Sequence, residues 1–528
     1  MRTLIFSGFA TILLVILVGS EFLFSENRQM CFNHLQDSCL IKTGSEHIMS
    51  RDYEVIDAAF LHGYTHNIVN ENIDGKKMST LTIQCTNGKV HSNLSKDYNF
   101  SVWTRDLYWG FLGWAEAGND SVIEIMKSSL SLLVMAKNKH QALGQNRNMP
   151  LNDGRFYVPQ AYTKGLKPSA EYWPWCAESQ ADFLLLARNY WKLSGDLNFI
   201  SSIWNDIVYI IETLELMDSD GNSLPDTYYG SYDYQGVIDA EEPLLCAKTS
   251  LAYSSIAELA NMLGKDEYGR SLEKLASKIK ETMNKNIDDG GLWKAEEEGG
   301  YYINMRKFTE SGIEIIDNFI PYDNLVPMWC GMTSSRQDKA IFSMLDNGFK
   351  EYYDLTYGPM YCAPAGHNNQ SVMECSSVTW LAFLDIYLRG KKGHDVNRSK
   401  IFDLLMKNAY IAGEVPFSEG AGIYGTFTGN AGRSWDNGNF FHMLICGVYG
   451  IEKSQNGISI SPPESIEGNP LTELLNLHWR RAVYDFKWNG MGNHIKTVTV
   501  DGKKVAAKSG IYMLTSEVGN HEVAISLY

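Results

Sequence analysis

The feature that most constrains this chain is a succession of helix-sized amphipathic segments of similar length, separated by loops rich in glycine and aromatic residues. Apolar residues recur at three- and four-residue spacing over 121–137, 177–194, 198–216, 243–263, 266–285, 334–345, 371–389, 399–412 and 437–450. That period places them on one face of a helix. Stop signals close several of these segments: Gly195-Asp196, Gly264 and Gly390. The Val- and Ile-rich runs of a buried parallel sheet are missing, which argues against a doubly wound α/β fold. No strict repeat is visible, but many helices of like length suit an architecture of paired helices. After Ile451 the texture changes. Gly457–Pro463, Ile495–Lys503 and His521–Ser526 alternate like strands around Asp-Gly turns, predicting a small β-rich C-terminal piece.

At 528 residues the chain has room for one very large domain and a small one, or for three ordinary ones. The expected organisation is a targeting segment over 1–25, a lead-in with extended segments over 26–95, a helical domain over 96–455 and a β-rich subdomain over 456–528. Arg2, then Leu4-Ile5-Phe6 and Ile12–Val18, then Gly19-Ser20 before Glu21 read as a secretory signal cleaved after Ser20. A retained signal anchor is the alternative, because the apolar run approaches the length of a membrane span. Either way the body is expected to be secreted or lumenal, with Asn93, Asn99, Asn119, Asn369 and Asn397 as glycosylation sequons in a eukaryotic host. Nine cysteines lack metal-finger spacing; Cys31 and Cys39 could close a small loop, and an odd count leaves at least one thiol free. A net charge of −16 and the lack of a basic stripe argue against nucleic acid as a partner. Aromatic residues, at 12%, are a departure shared by carbohydrate-active proteins and by large helical cores.

The chemistry concentrates in loops. Asn99 to Trp109 sets Arg105 and Asp106 among Trp103, Tyr108 and Trp109, just ahead of the helix-like stretch 110–117. Aromatic rings cover the apolar faces of a sugar, while guanidinium and carboxylate bind its hydroxyls; a tryptophan cluster with a surface ion pair is the plain alternative. Residues 217–236 are too long and too aromatic for a simple connector. Within them Asp233, between Tyr232 and Tyr234, would have its pKa raised in a dry pocket and could protonate a leaving oxygen. It could equally cap the helix beginning near Pro243. Asp218, Asp220, Asn222 and Asp226 resemble calcium ligands, but the glycine stands one place early for an EF-hand loop. A later loop carries Glu414 and Glu419, followed by Arg433 and Trp435. Its Gly420-x-Gly422-x-x-Gly425 has dinucleotide spacing without the strand–helix frame that motif needs. Two carboxylates on separate loops are what glycosidic cleavage needs. Trp173 and Trp175 stand in a Trp-Pro-Trp sequence that suggests a surface loop; with Trp109, Trp329 and Tyr357 they would line the mouth of the barrel that the resemblance described below implies, simple core packing being the alternative for Trp109, Trp329 and Tyr357. His367 and Glu374 could bond sugar hydroxyls, whereas His442 reads as a core-edge histidine. Serine-hydrolase elbows, paired zinc histidines and phosphate loops are not found in the sequence, and no cofactor is implied.

With these loops placed, the chain resembles the six-hairpin, (α/α)6-barrel glycosidases over about residues 95–465. Trp103-Thr104-Arg105-Asp106 is similar to the Trp-x-Arg-Asp that binds the terminal sugar in glucoamylases and debranching enzymes. Ala177 to Asp196 resembles the helix ending in Thr-Gly-Asp in the same group, and Asp218 to Asp226 the Asp-rich loop of bile-acid-type β-glucosidases. Tyr424 to Pro462 is similar to the end of the barrel in cellobiose-type phosphorylases. The resemblance implies a mainly α, (α/α)6 toroid and a carbohydrate substrate. It assigns Asp233 as general acid, Glu419 or Glu414 as general base, and Arg105 and Asp106 as terminal-sugar contacts. Trp173, Trp175, Tyr232, His367, Arg433 and Trp435 would complete the sugar site. Neither the N-terminal β-sandwich nor the phosphate-binding set of the phosphorylases is recognisable, so hydrolysis is expected over phosphorolysis, with inversion. A polysaccharide lyase on the same toroid and a non-catalytic carbohydrate-binding protein are the rival expectations.

Overall fold

The computed structural model describes residues 40–43, 49–82, 101–142, 158–168, 176–226, 240–297, 299–353, 360–361, 376–410, 416–422, 427–464, 466, 471–490 and 492–528. Its helices, in chain order, are α1 (Met49–Gly63), α2 (Thr104–Ala117), α3 (Asp120–Ala142), α4 (Ala177–Ser194), α5 (Leu197–Ser202), α6 (Trp204–Glu215) and α7 (Pro243–Met262). They continue as α8 (Asp266–Met283), α9 (Pro321–Trp329), α10 (Ser335–Asn347), α11 (Phe349–Tyr352), α12 (Thr379–Lys392), α13 (Arg398–Lys407) and α14 (Ser434–His442), the last running on as a π-helix over Met443–Val448.

Six of these close a ring: α2 packs on α4, α4 on α7, α7 on α9, α9 on α12, α12 on α14, and α14 on α2 again. The others wrap it, with α3 and α6 on α4, α8 on α7, α10 on α9, α13 on α12 and α1 on α14. This is the (α/α)6 toroid that the resemblance implies. The two layers differ in burial as their positions require. α8 buries Gly269, Leu272, Ala276, Ile279 and Met283, a single stripe at steps of three and four. In α7 every residue from Pro243 to Ser250 is buried, as a helix walled on all sides must be.

The ring is sealed where its two ends meet. α2 and α14 cross at Gly110, Gly113 and Gly438, where a Cβ on Gly113 would overlap the Gly438 carbonyl. Beside the crossing, Trp114 Nε1 donates to Ser434 Oγ at 2.9 Å. First turns gather at one end of the ring: Arg105 of α2 reaches Glu178 of α4, and the Trp380 amide of α12 reaches Asp436 of α14. Last turns gather at the other, where Trp329, Tyr387 and His442 touch. The inner helices therefore run parallel, with a mouth at their N-termini and a base at their C-termini.

Short sheets feed the mouth. Val102–Trp103 pairs with Ala161–Thr163 and leads into α2, and Ala240–Glu241 pairs with Met305–Thr309 ahead of α7. Ser376–Val378, which leads into α12, pairs with Ser418–Gly422, and that strand pairs with Phe427–Ala431 ahead of α14. At the C-terminus, Arg481–Asn489 alternates buried Ala482, Tyr484, Phe486 and Trp488 with less buried residues and pairs in parallel with Val518–Leu527. The early strand Leu40–Thr43 joins this same sheet through Leu471–Trp479.

Some elements depart from expectation. Residues 49–63 form a helix where extended patches were expected, because Val55, Ile56, Ala59 and Phe60 share a face, with Phe60 packed on Trp114 and Phe441. α9 went unread because prolines stand at its first position and at Pro327. The segment expected to be helical from 371 instead enters α12 at Thr379 through a strand. Cys176, Cys246, Cys330 and Cys446 are free and buried, while Cys31 and Cys39 lie outside the described residues. Among the described residues no helix is long and apolar enough to cross a membrane.

Candidate active site

Inner helices presenting their N-termini to one mouth present the positive ends of their dipoles there, an environment that favours carboxylates. The sequence supplies them at matching positions. Asp106 stands in the first turn of α2, Glu178 in that of α4, Asp323 in that of α9 and Asp436 in that of α14, while Glu242 is the residue before α7. All five are buried, none more than 5% exposed.

Of the residues expected to bind sugar, the structure brings Trp103, Arg105, Asp106, Arg433 and Trp435 together at the junction of α2 and α14. Trp103 ends the strand that sets the direction of α2, whose first residue is fixed by Thr104 N–H donating to the Gln160 carbonyl at 2.9 Å. Arg105 lies 5.1 Å and Arg433 4.6 Å from the Trp435 ring centre. Arg433 Nε donates to Asp436 Oδ2 at 2.6 Å, and the other carboxylate oxygen accepts from the Trp380 amide at 3.0 Å. Trp435 is 0% exposed, parallel to Trp109 and 4.7 Å from Trp380. Its packing resembles core more than an open platform. Trp329, expected at the mouth, ends α9 and so belongs to the base.

Asp233, Glu414, Trp173, Trp175, Tyr232, Tyr357, His367 and Glu374 lie outside the described residues. Glu419 is described through its backbone, in the strand Ser418–Gly422 between the strands that enter α12 and α14. The segment containing Asp233 leaves from Asp226 and returns at Ala240, and Asp226 bridges to Glu241 at the approach to α7.

Beneath this rim is a charged group that sequence reading missed. Glu178 accepts from Arg105 Nη1 at 3.4 Å and from Lys248 Nζ at 2.6 Å, and Lys248 also meets Asp182. Lys248 sits 5.2 Å from the ring centres of both Tyr108 and Trp109. Burial alone would raise the Glu178 pKa, but Lys248 and Arg105 outweigh it and hold the carboxylate low. Burial, with Glu178 beside it, pushes Asp182 up to about 7 against the pull of Lys248. Burial opposes the charge on Lys248, yet the two carboxylates keep its pKa above the ordinary value. On the α9 side, burial and then Glu242 push the Asp323 pKa well up, and its Oδ2 accepts from Asn304 Nδ2 at 2.9 Å. The signal was available: Glu178 and Asp182, one turn apart, interrupt the apolar wall of a helix buried all round.

The Asp-rich loop does something more local than hold calcium. Asp218 Oδ2 accepts from Ser223 N–H at 2.9 Å, Asp220 Oδ1 from Asn222 N–H at 3.1 Å and Asp226 Oδ2 from Ser219 N–H at 2.9 Å. The carboxylates fold the loop on itself, and among the described residues there is no cluster that could hold a metal. Asn222 and Arg306 both reach Glu241, whose pKa burial raises to about 7. Gly195-Asp196 is likewise structural. Gly195 ends α4 at φ 70°, and Asp196 caps α5 while accepting from Lys127 and Tyr190.

No protein-family model matches the sequence, and no curated protein matches it. Solved structures share the fold. A GH78 family rhamnosidase of Bacillus sp. GL1 aligns with a TM-score of 0.56 at 12% identity, over 86% of this chain and 41% of that one. This chain thus spans about two fifths of the rhamnosidase's length. A sialidase aligns at 0.53 and 10% identity, over 84% of this chain and 37% of the other. A glycosidase solved in complex with glucose aligns at 0.50 and 10% identity, over 76% of this chain and 98% of the other. The likeness is one of fold: the (α/α)6 barrel of these glycosidases.

Proposed function

We propose that the chain is a secreted or lumenal glycoside hydrolase that removes sugars from the non-reducing end of an oligosaccharide, polysaccharide or glycan. The observation that carries this reading is the convergence of five buried acidic side chains, with Arg105 and Arg433, on the mouth of the (α/α)6 ring. A ring of carboxylates set among helix N-termini offers groups of both protonation states, as cleavage by an acid and a base requires. Asp182, pushed up to about 7, beside Glu178, held low, illustrates that separation.

In this reading Asp233 protonates the leaving glycosidic oxygen and Glu419 or Glu414 activates the water that attacks the opposite face, inverting the anomeric centre. Trp103, Arg105 and Asp106 hold the terminal sugar, and the Glu178–Lys248–Asp182 group fixes Arg105 from below. The acidic mouth disfavours the uronate that a lyase would bind.

The test incubates full-length protein with a panel of neutral oligosaccharides beside Asp233→Asn, with products read by mass spectrometry and anomers by NMR. Release of a monosaccharide bearing one added water, reduced about 100- to 10,000-fold in the variant, supports the reading. An unsaturated product lacking that water identifies a lyase. Equal behaviour of the two proteins removes Asp233 from the reaction.

A further inference from the structure

The hairpin beside the entry to α7 carries an apolar face that the sugar chemistry of the mouth does not use. Its strands are Met305–Thr309 and Gly312–Ile316, and the first of them pairs with Ala240–Glu241. Both ends of the hairpin are fastened at the mouth. Asn304, just ahead of it, donates through Nδ2 to Asp323 of α9 at 2.9 Å and through its backbone N–H to the Ile316 carbonyl at 3.1 Å. The chain then enters α9 at Pro321. Asp226 bridges to Glu241, so one small sheet holds the hairpin and both ends of the segment that carries Asp233.

Register sorts the hairpin's side chains onto two faces, because residues paired across antiparallel strands point the same way. Ala240, Met305 and Ile316 share one face and pack together, and Lys307 reaches Glu314 on that face at 3.8 Å. Glu241, Arg306, Phe308, Ile313 and Ile315 share the other. Arg306 is committed there to Glu241 and to the Gly290 carbonyl. Beyond that buried pair the face is apolar and open to solvent. Ile313 is 50% and Ile315 39% exposed, and Phe308, paired across from Ile313, is half-buried. Ile315 stands two strands from Glu241, about 10 Å at ordinary strand spacing.

A single exposed isoleucine needs no explanation, but three apolar neighbours on one face at the mouth do. The patch is too small for a protein partner. A stable interface buries about 800 Å² on each side, and three partly exposed side chains supply a fraction of that. Glu310 at the hairpin turn and the chain's net charge of −16 disfavour an anionic amphiphile. What fits is a short, neutral apolar group, and position says which. If Asp233 protonates the leaving oxygen, the leaving group lies where the Asp233 segment is anchored, and this sheet is that anchor.

We propose that Phe308, Ile313 and Ile315 form a docking face for the leaving group, and that the substrate is a glycoside with a neutral, apolar aglycone. The proposal deepens the glycosidase reading and rests on it. Hydrolysis breaks the glycosidic bond, leaves the water's hydroxyl on the sugar and releases the aglycone as its alcohol, which carries the proton from the acid.

The test compares methyl and octyl glycosides of glucose, galactose, mannose and rhamnose, in both anomers, on full-length protein and below the micelle concentration of the octyl series. For a sugar that is cleaved, KM is expected to be about tenfold or more lower for the octyl glycoside, which burial of about two methylenes supplies. The double variant Ile313→Thr, Ile315→Thr keeps strand-forming side chains and should cut that ratio to about threefold or less, with Tm and methyl glycoside turnover unchanged. Val396→Thr, at a residue 53% exposed beyond α12 at the base, should leave the ratio intact. Equal KM for the two glycosides, or an octyl preference that the double variant retains, overturns the proposal and leaves the glycosidase reading standing. Cleavage of no glycoside in the panel removes that reading, and the proposal with it.

Discussion

At the residue scale, Lys248 is the side chain on which the rim most depends. It is 1% exposed and lies between Glu178 and Asp182, which are buried to the same degree. Removing one partner from a buried ion group leaves the others uncompensated, typically costing about 3–5 kcal/mol. Lys248→Met should therefore destabilise the protein by about that amount near pH 8, where both carboxyls would be charged. The loss should shrink near pH 5, because Asp182 already titrates near 7 and takes up a proton readily. Thermal melts of the two proteins at both pH values check this, and a pH-independent loss would show that Lys248 acts through packing alone. The same residue shows what could be read in advance. Arg105, Asp106 and Trp103 announced themselves because they are adjacent in the chain. Glu178, Asp182 and Lys248 are brought together by ring closure across two helices, and no local spacing encodes that.

At the element scale, the crossing of α2 and α14 decides whether the ring closes. Helix propensity alone favours alanine over glycine by about 1 kcal/mol. Packing says the reverse for Gly113, whose added Cβ would overlap backbone of α14. Gly113→Ala should therefore lower stability by about 1–3 kcal/mol, as overpacked cores do. Denaturant titration decides the sign, and a gain in stability would mean that the helices cross less tightly than described. Elements of regular period were legible in the sequence: α4, α7 and α8 begin where the apolar spacing begins. α9 was not, because Pro321 and Pro327 read as breaks; Pro321 is tolerated at a helix start, and Pro327 falls near the helix end. The mouth loops were recognisable by composition, but their spacing could not supply the distance between carboxylates.

At the scale of the whole molecule, buried acids set the pH at which the fold is most stable. Burial raises Asp57 and Asp226 to about 6, and Glu116, Asp182 and Glu241 to about 7. Between the ordinary carboxylate value near 4 and these values, the folded state binds more protons than the unfolded one. Stability from these five groups is therefore full below about pH 4 and is lost as pH rises towards 7. His62 and His442 act in the opposite sense. Burial lowers both from 6.5 to about 4, so the unfolded state binds more protons across that interval and stability rises with pH there. Asp196, held down to about 2 chiefly by the hydrogen bond from Lys127, loses its contribution only below pH 4. Five groups against two leave a net fall in stability from mildly acidic to neutral pH. Tm should be at least about 2 °C higher at pH 5 than at pH 8 in the same ionic strength. Glu116→Gln, which removes one of the five titrations, should narrow that difference. A Tm that rises from pH 5 to pH 8 would mean that these carboxyls are already ionised in the fold, and that the barrel holds its buried acids as charged partners.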